Sequence, residues 1–209
     1  MTWATGLTSD DAALLTATDL GCRRGGRRVF SGVALHLLPG QALWLRGANG
    51  SGKTSLLRLL AGLASPAEGR VDSHAGAPAY LGHTNALKDE LALGEALSFL
   101  CSLHGPAPDA AAMRAALERI GLSRRLDFPV RKLSQGQRRR LALARLWLVQ
   151  ARVWLLDEPY DALDREACDQ LDAALQSHRD GGGALVLTSH QPVALPALRT
   201  LELTGGAAA

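Results

Sequence analysis

The sequence predicts an α/β fold built around a phosphate-binding loop, with a helical subdomain set into it. Four observations carry this. Gly47-Ala48-Asn49-Gly50-Ser51-Gly52-Lys53-Thr54 fits G-x-x-x-x-G-K-[ST]. A short apolar run, Ala42 to Leu45, precedes it as a buried strand, and Ser55 to Ala61 follows with the apolar spacing of a packed helix, stopped by Gly62. Further along, a second apolar run, Val153 to Leu156, ends in the adjacent acids Asp157 and Glu158. Between the two, from Leu91 to Leu148, apolar residues recur at helical spacing: Leu93, Leu97 and Leu100, then Met113, Leu117 and Ile120.

The loop's residue types follow from its chemistry. Gly47, Gly50 and Gly52 let the backbone curl so that successive N–H groups of Ala48, Asn49, Ser51 and their neighbours point inward as an anion nest. The helix start at Lys53, Thr54 and Ser55 adds unpaired donors and the positive end of a dipole. Lys53 has the reach for terminal phosphates, and the Thr54 hydroxyl is a ligand for Mg²⁺.

The remaining elements are read in chain order. The 209 residues suffice for one domain with a substantial core. Hydrophobic residues make up 47%, and no run approaches a membrane span. Met1 to Asp11 reads as a frayed start, without the basic and apolar regions of a signal peptide. Three widely spaced cysteines, Cys22, Cys101 and Cys168, form neither a disulfide frame nor a zinc pattern, which suits a reducing compartment. A net charge of +3 is mild. Arginines cluster at 23–24, 27–28, 124–125 and 138–140, read as solvated faces rather than a nucleic-acid footprint. Leu14 to Leu20 and Val29 to Leu37 read as strands joined by the turn Arg23 to Arg27. Pro39-Gly40 is a second turn, Ala64 to Gly69 reads as a loop, and Tyr80-Leu81 ends a short strand.

In the helical stretch, Asp109 is an N-cap. Ser134 and Gln137 have capping-box spacing, predicting a helix that runs on through Val149. By itself this is a helix start. With Gly136 it is also a second anion-binding helix end, useful only if it faces a phosphate held elsewhere, as in a second copy of the chain. Asp157 and Glu158 leave their strand at its C-terminal edge, where open α/β sheets place ligands. Asp157 then suits a hydrated Mg²⁺, and Glu158 suits polarising a water. Asp164 caps a helix over Arg165 to Ser177, Gly181-Gly182-Gly183 breaks it, and Ala184 to Thr188 forms a last core strand with His190 at its tip. Such a histidine is either structural or a phosphate sensor. Leu201 to Leu203 adds an edge strand, and Gly205 to Ala209 a loose tail.

Together these pieces resemble the ATP-binding subunits of ABC transporters, over about residues 14 to 203 and in the family's order. Gly47–Thr54 looks like the Walker A motif, Leu133–Gln137 the signature motif, Leu155–Glu158 the end of Walker B, Ala162–Asp164 the D-loop and His190 the switch histidine. The resemblance implies a P-loop NTPase core of the ABC type with a mixed sheet, about 12–83 and 151–204, and a helical subdomain, about 84–150, within a single domain. It implies ATP and Mg²⁺ as cofactors, Glu158 and His190 as catalytic residues, and Ser134 and Gly136 completing the site of a second copy, head to tail.

A narrower resemblance rests on Tyr80-Leu81-Gly82-His83, Pro129 to Ser134, Ala142 to Trp147 and Thr188 to Gln191. These strings are similar to the ATP-binding subunits of cytochrome c biogenesis, the haem exporter ATPases. That family implies a peripheral protein on the cytoplasmic face of a bacterial inner membrane, working with embedded permease subunits (CcmB-like and CcmC-like). No haem-ligand pattern such as C-x-x-C-H occurs, so direct haem binding is not expected. Two departures stand out. Arg24 occupies the place of the usual adenine-stacking aromatic, where a guanidinium can still lie on a flat ring. His83 replaces the usual glutamine, and is read either as a strand cap or as a contact to Mg²⁺ through water. The rival reading, a soluble ABC-type ATPase acting on DNA or ribosomes, calls for a long coiled-coil insert between Thr54 and Leu133 or a second cassette, and the chain has neither.

Overall fold

The computed structural model describes residues 13–122 and 126–204. The expectations for the first eleven residues, for Arg124 and Arg125 and for the tail from Gly205 lie outside the described residues.

The first two strands, β1 (Leu15–Arg24) and β2 (Arg27–Leu37), pair antiparallel. Their connection is Gly25-Gly26 with φ of 54° and 77°, the pair of positive angles that a tight hairpin turn of matching twist demands. β3 is Ala42–Arg46, α1 is Lys53–Leu60, β4 is Glu68–Ser73 and β5 is Ala79–Leu81. Then come α2 (Leu93–Cys101), α3 (Ala110–Arg119) and α4 (Gln135–Ala144), followed by β6 (Val153–Leu156), α5 (Arg165–Asp180), β7 (Ala184–Leu187) and β8 (Leu198–Glu202).

The mixed strand directions are divided between two sheets. One is antiparallel, in the order β2-β1-β4. The other is wholly parallel, in the order β5-β6-β7-β3-β8. All of β6 and β7 is buried, which is why both read as unbroken apolar runs. Side chains of β6 alternate between two cores. Val153 and Leu155 join Leu15, Phe30, Leu56 and Leu57 between the sheets, under α1. Trp154 and Leu156 join Leu171 and Leu175 of α5 on the far face. A third core gathers Leu93 and Leu97 of α2, Leu117 of α3 and Leu141 of α4.

Local signals decide the ends. The Leu63 N–H reaches Arg58 O at 2.9 Å and the Gly62 N–H reaches Leu59 O at 3.0 Å, with Gly62 at φ 70°, so α1 stops in the paired-bond glycine motif. Asp109 accepts from the Ala112 N–H at 2.7 Å and Asp164 from the Ala167 N–H at 3.0 Å. Ser134 and Gln137 exchange the two bonds of a capping box.

Two expectations need correction. Ala64 to Gly69 is not all loop, because Glu68 and Gly69 open β4, a polar strand recruited by the free edge of β1. The helix expected to reach Val149 ends at Ala144 and tightens into a 3₁₀ turn over Arg145–Trp147.

Candidate active site

The parallel sheet delivers its ligands to one edge. β3 leads into the phosphate loop and β6 ends in Asp157. The Thr54 hydroxyl donates to Asp157 Oδ2 at 2.8 Å, across 103 residues of sequence. That contact brings the phosphate loop and the acid-tipped strand into one site.

The loop's glycines are spatial requirements. A Cβ on Gly47 would lie 2.5 Å from Leu203 O, and one on Gly52 would lie 2.7 Å from Val29 Cγ1, with both residues at positive φ. Gly52 caps α1 with no side-chain acceptor, so the first-turn N–H groups of Lys53, Thr54 and Ser55 have no intrahelical partner. The buried Ser51 hydroxyl also has no hydrogen-bond partner among the described residues. Lys53 Nζ donates to Gly47 O at 2.8 Å and to Ala48 O at 3.2 Å, arching over the loop it would share with a phosphate.

The acids are held from behind. Asp157 Oδ1 accepts from the Thr188 hydroxyl at 2.9 Å, and Thr188 Oγ1 in turn accepts from the Glu158 N–H at 2.9 Å. Thr188 thus sets the spacing of the two acids from the neighbouring strand. Glu158 stands at φ 50°, in the left-handed region, which costs a non-glycine residue about 1 kcal/mol or more. Its Oε2 accepts from the His190 N–H at 2.9 Å, and the His190 ring Nε2 lies 3.6 Å from Oε1.

A cavity of about 450 Å³ gathers Arg24, Asn49, Gly50, Gly52, Lys53, Thr54, Ser55, His83, Asp157, Glu158 and His190. Ser134 and Gly136 do not line it. Gly136 packs instead on the turn after β6, where a Cβ would come within 2.8 Å of Ala162 O. His83 stands at the cavity rim with Nδ1 3.5 Å from Asp161 Oδ2.

Two residues that sequence reasoning passed over hold this site together. Thr188 read as the end of a strand and the start of the string Thr188 to Gln191, with no role of its own. Arg139 read as one of a charged cluster, yet it is 2% exposed. Its position repeats at helical spacing with the buried Ala142, Leu143 and Leu146, and that stripe was the available signal. The other two arginines of the cluster are also engaged: Arg138 reaches Asp89 at 2.5 Å, and Arg140 pairs with Asp164.

The chain matches the family profile described as ABC transporter over residues 30–161. The chain belongs to the ABC transporter family. It is therefore a nucleotide-binding ATPase of that type. Among curated relatives, it is 46% identical over 197 residues to the cytochrome c biogenesis ATP-binding export protein CcmA of Aromatoleum aromaticum, covering 88% of this chain and 92% of that protein. It is also 46% identical to the protein of the same name from Cupriavidus necator over 204 residues, 92% of this chain and 89% of the relative. A solved dimeric ATP-binding cassette, in a post-hydrolysis state bound to ADP and Pi, matches with a TM-score of 0.74 and 20% identity, over 85% of this chain and 88% of that one. At that identity the likeness is one of fold. No helix among the described residues is long and apolar enough to cross a membrane.

Proposed function

We propose that this chain is the ATP-hydrolysing subunit of a membrane export complex serving c-type cytochrome biogenesis, acting as a head-to-tail pair. The observation that carries the chemistry is the Thr54–Asp157 contact, which joins phosphate loop and acid-tipped strand in one cavity. The biological setting is supported by relatives named CcmA, 46% identical over about nine-tenths of this chain.

The residues fit Mg²⁺. Thr54 and Asp157 offer a hydroxyl and a carboxylate oxygen, the hard donors that ion prefers. No cluster of three or more His, Cys, Asp or Glu side chains suited to a metal occurs among the described residues. When bound there, Mg²⁺ supplies charge neutralisation across the terminal phosphates. Thr54 and Asp157 would hold it. Gly47 to Ser55 would take the phosphates on backbone N–H groups, with Lys53 turning from its two carbonyls onto them. Glu158 would accept a proton from the attacking water, and His190 would steady both Glu158 and the terminal phosphate. Arg24, exposed at the hairpin end and lining the cavity, would lie along the base. His83 would reach the metal only through water. Ser134 and Gly136, which do not line their own chain's cavity, would close the partner copy's site.

The partners on this reading are a second copy and embedded CcmB-like and CcmC-like permease subunits, with the chain peripheral on the cytoplasmic face of the inner membrane. Neither nucleic acid nor haem is assigned to it. Affinity purification of the tagged chain from detergent-solubilised membranes tests the setting. The expected result is co-purification of integral membrane proteins with ATPase activity. Recovery with nucleic acid or ribosomes, and none from membranes, overturns it.

A further inference from the structure

Among the described residues from α2 to α4, Arg139 is the charged side chain with the least exposed surface, at 2% exposed. It leaves α4 five residues after Ser134 and passes into the nucleotide core. Its guanidinium donates to Asp157 O at 2.9 Å, Glu158 O at 2.5 Å and, more weakly, Pro159 O at 3.4 Å. The same group donates to Gly82 O at 2.9 Å and to Asn85 Oδ1 at 3.1 Å. Every acceptor is a neutral carbonyl. Burying a guanidinium is costly unless its donors are met, and five bonds from one planar group meet them. Burial pushes the Arg139 pKa down, while Asp161, Asp157 and Glu158 nearby favour its charge.

The acceptors fall on two neighbouring segments, joined to each other by the Asp157 N–H to Leu81 O bond at 2.7 Å and by the approach of His83 to Asp161. Three belong to the turn after β6, where Glu158 sits at φ 50°. Two belong to the segment after β5, which carries His83. A left-handed non-glycine residue persists only where its surroundings over-determine it. The N–H of Glu158 is fixed by Thr188 and its O by Arg139. The backbone bearing the carboxylate is thus pinned from both sides, one pin coming from the same helix that presents Ser134.

We infer that Arg139 is the positioning residue for Glu158: it fixes the backbone that aims the carboxylate and ties that aim, and the loop bearing His83, to the helix headed by Ser134. This rests on the reading of Glu158 as base. Movement of α4 relative to the core then alters hydrolysis without touching the phosphate loop.

The test uses the full-length protein with Arg139→Met and Arg139→Lys, each in the natural background and in Glu158→Gln. Acting through Glu158, Arg139→Met lowers kcat about 100-fold, the scale of a misplaced general base, and leaves the ATP Kd within about threefold. Arg139→Lys, which keeps the charge but loses the fork, falls between. In the Glu158→Gln background neither change lowers the residual rate further, beyond about twofold, since the group being aimed is gone. Thermal melting checks that each variant is folded. Where the methionine variant fails to fold, the lysine variant decides by the same comparison. A further fall in the Glu158→Gln background, parallel loss of ATP affinity, or an unchanged kcat overturns the inference. Wild-type hydrolysis by Glu158→Gln alone overturns the reading of the base instead, which separates the two failures.

Discussion

Glu158 shows how a site is assembled one residue at a time. Its backbone is strained at φ 50°, its N–H is held by Thr188, its carbonyl by Arg139, and its Oε2 accepts from the His190 N–H. Replacing it by Gln preserves shape and every one of those contacts while removing the proton acceptor. Glu158→Gln is therefore expected to bind ATP normally and hydrolyse it at least ~100-fold more slowly, measured by phosphate release beside equilibrium binding. Lys53→Ala should do the converse. Its ammonium is the one cation within the loop, so filter binding should show most of the ATP affinity lost; affinity within about twofold of wild type sinks that role. The contrast explains what the sequence could disclose. Lys53, Thr54, Asp157 and Glu158 are legible because a phosphate and a hard cation demand particular atoms at particular spacings. Arg139 binds mostly main-chain carbonyls, and Thr188 the Glu158 N–H beside the Asp157 carboxylate, all on segments distant in sequence, and a backbone group imposes no residue type on its own position. Only the helical stripe it shares with Ala142, Leu143 and Leu146 set Arg139 apart from its exposed-looking neighbours.

Elements were legible in proportion to their burial. β6 and β7, covered on both faces, announce themselves as apolar runs, and the first hairpin by its double glycine. β4 did not, because Glu68–Ser73 buries nothing fully and exists through pairing with β1. Its position depends on Gly69 at φ 78°, where a Cβ would meet Thr18 O at 2.2 Å and Asp19 O at 2.3 Å. Asp19 itself has φ 50°, and the β1–β4 register shifts between Thr18 and Gly21, so the two strands kink together. Both clashing atoms are backbone, so relief requires the kinked strand itself to shift. Gly69→Ala should cost at least about 2 kcal/mol in urea unfolding; a loss below about 0.5 kcal/mol would show that the kink can move. On the other face, α5 meets β6 through His178, whose ring stacks on Trp154 at 3.8 Å and 9°. Burial, aided by Arg152, pushes its pKa below the ordinary 6.5, against two backbone hydrogen bonds that raise it. The unfolded chain thus binds the proton more readily. Stability from the neutral ring is present above about pH 6.5 and is lost as pH falls through the lower folded value. His178→Phe keeps a flat ring on Trp154 and should flatten the fall in urea midpoint below pH 6.5. Part of the slope remains in His104, which burial also lowers. An unchanged slope would assign the acid sensitivity elsewhere.

At the scale of the whole molecule, the phosphate-loop cavity and the head of α4 do not meet within one chain. The cavity with Lys53 and Glu158 lacks Ser134 and Gly136, which sit at the head of α4 beyond the turn at Ala162. If two copies pair head to tail, each complete site takes its phosphate loop from one chain and its Ser134 helix end from the other. Two dead variants then rescue each other. In a mixed pair of Lys53→Ala and Ser134→Arg, one site combines both lesions. The other combines the intact phosphate loop of the Ser134→Arg chain with the intact helix end of the Lys53→Ala chain. With equal amounts exchanging freely, half the pairs are mixed and one of their two sites is whole, so the mixture should reach about a quarter of the wild-type rate. Each variant alone should be inactive, Ser134→Arg while still binding ATP and Lys53→Ala because it does not. Steady-state ATPase assays on the separate and mixed proteins, with sizing to confirm that copies exchange, provide the measurement. A mixture as inactive as its components, under conditions where mixed pairs form, rules out sites that work independently across the pair. Loss of ATP binding by isolated Ser134→Arg chains would instead place Ser134 in the same site as its own Lys53.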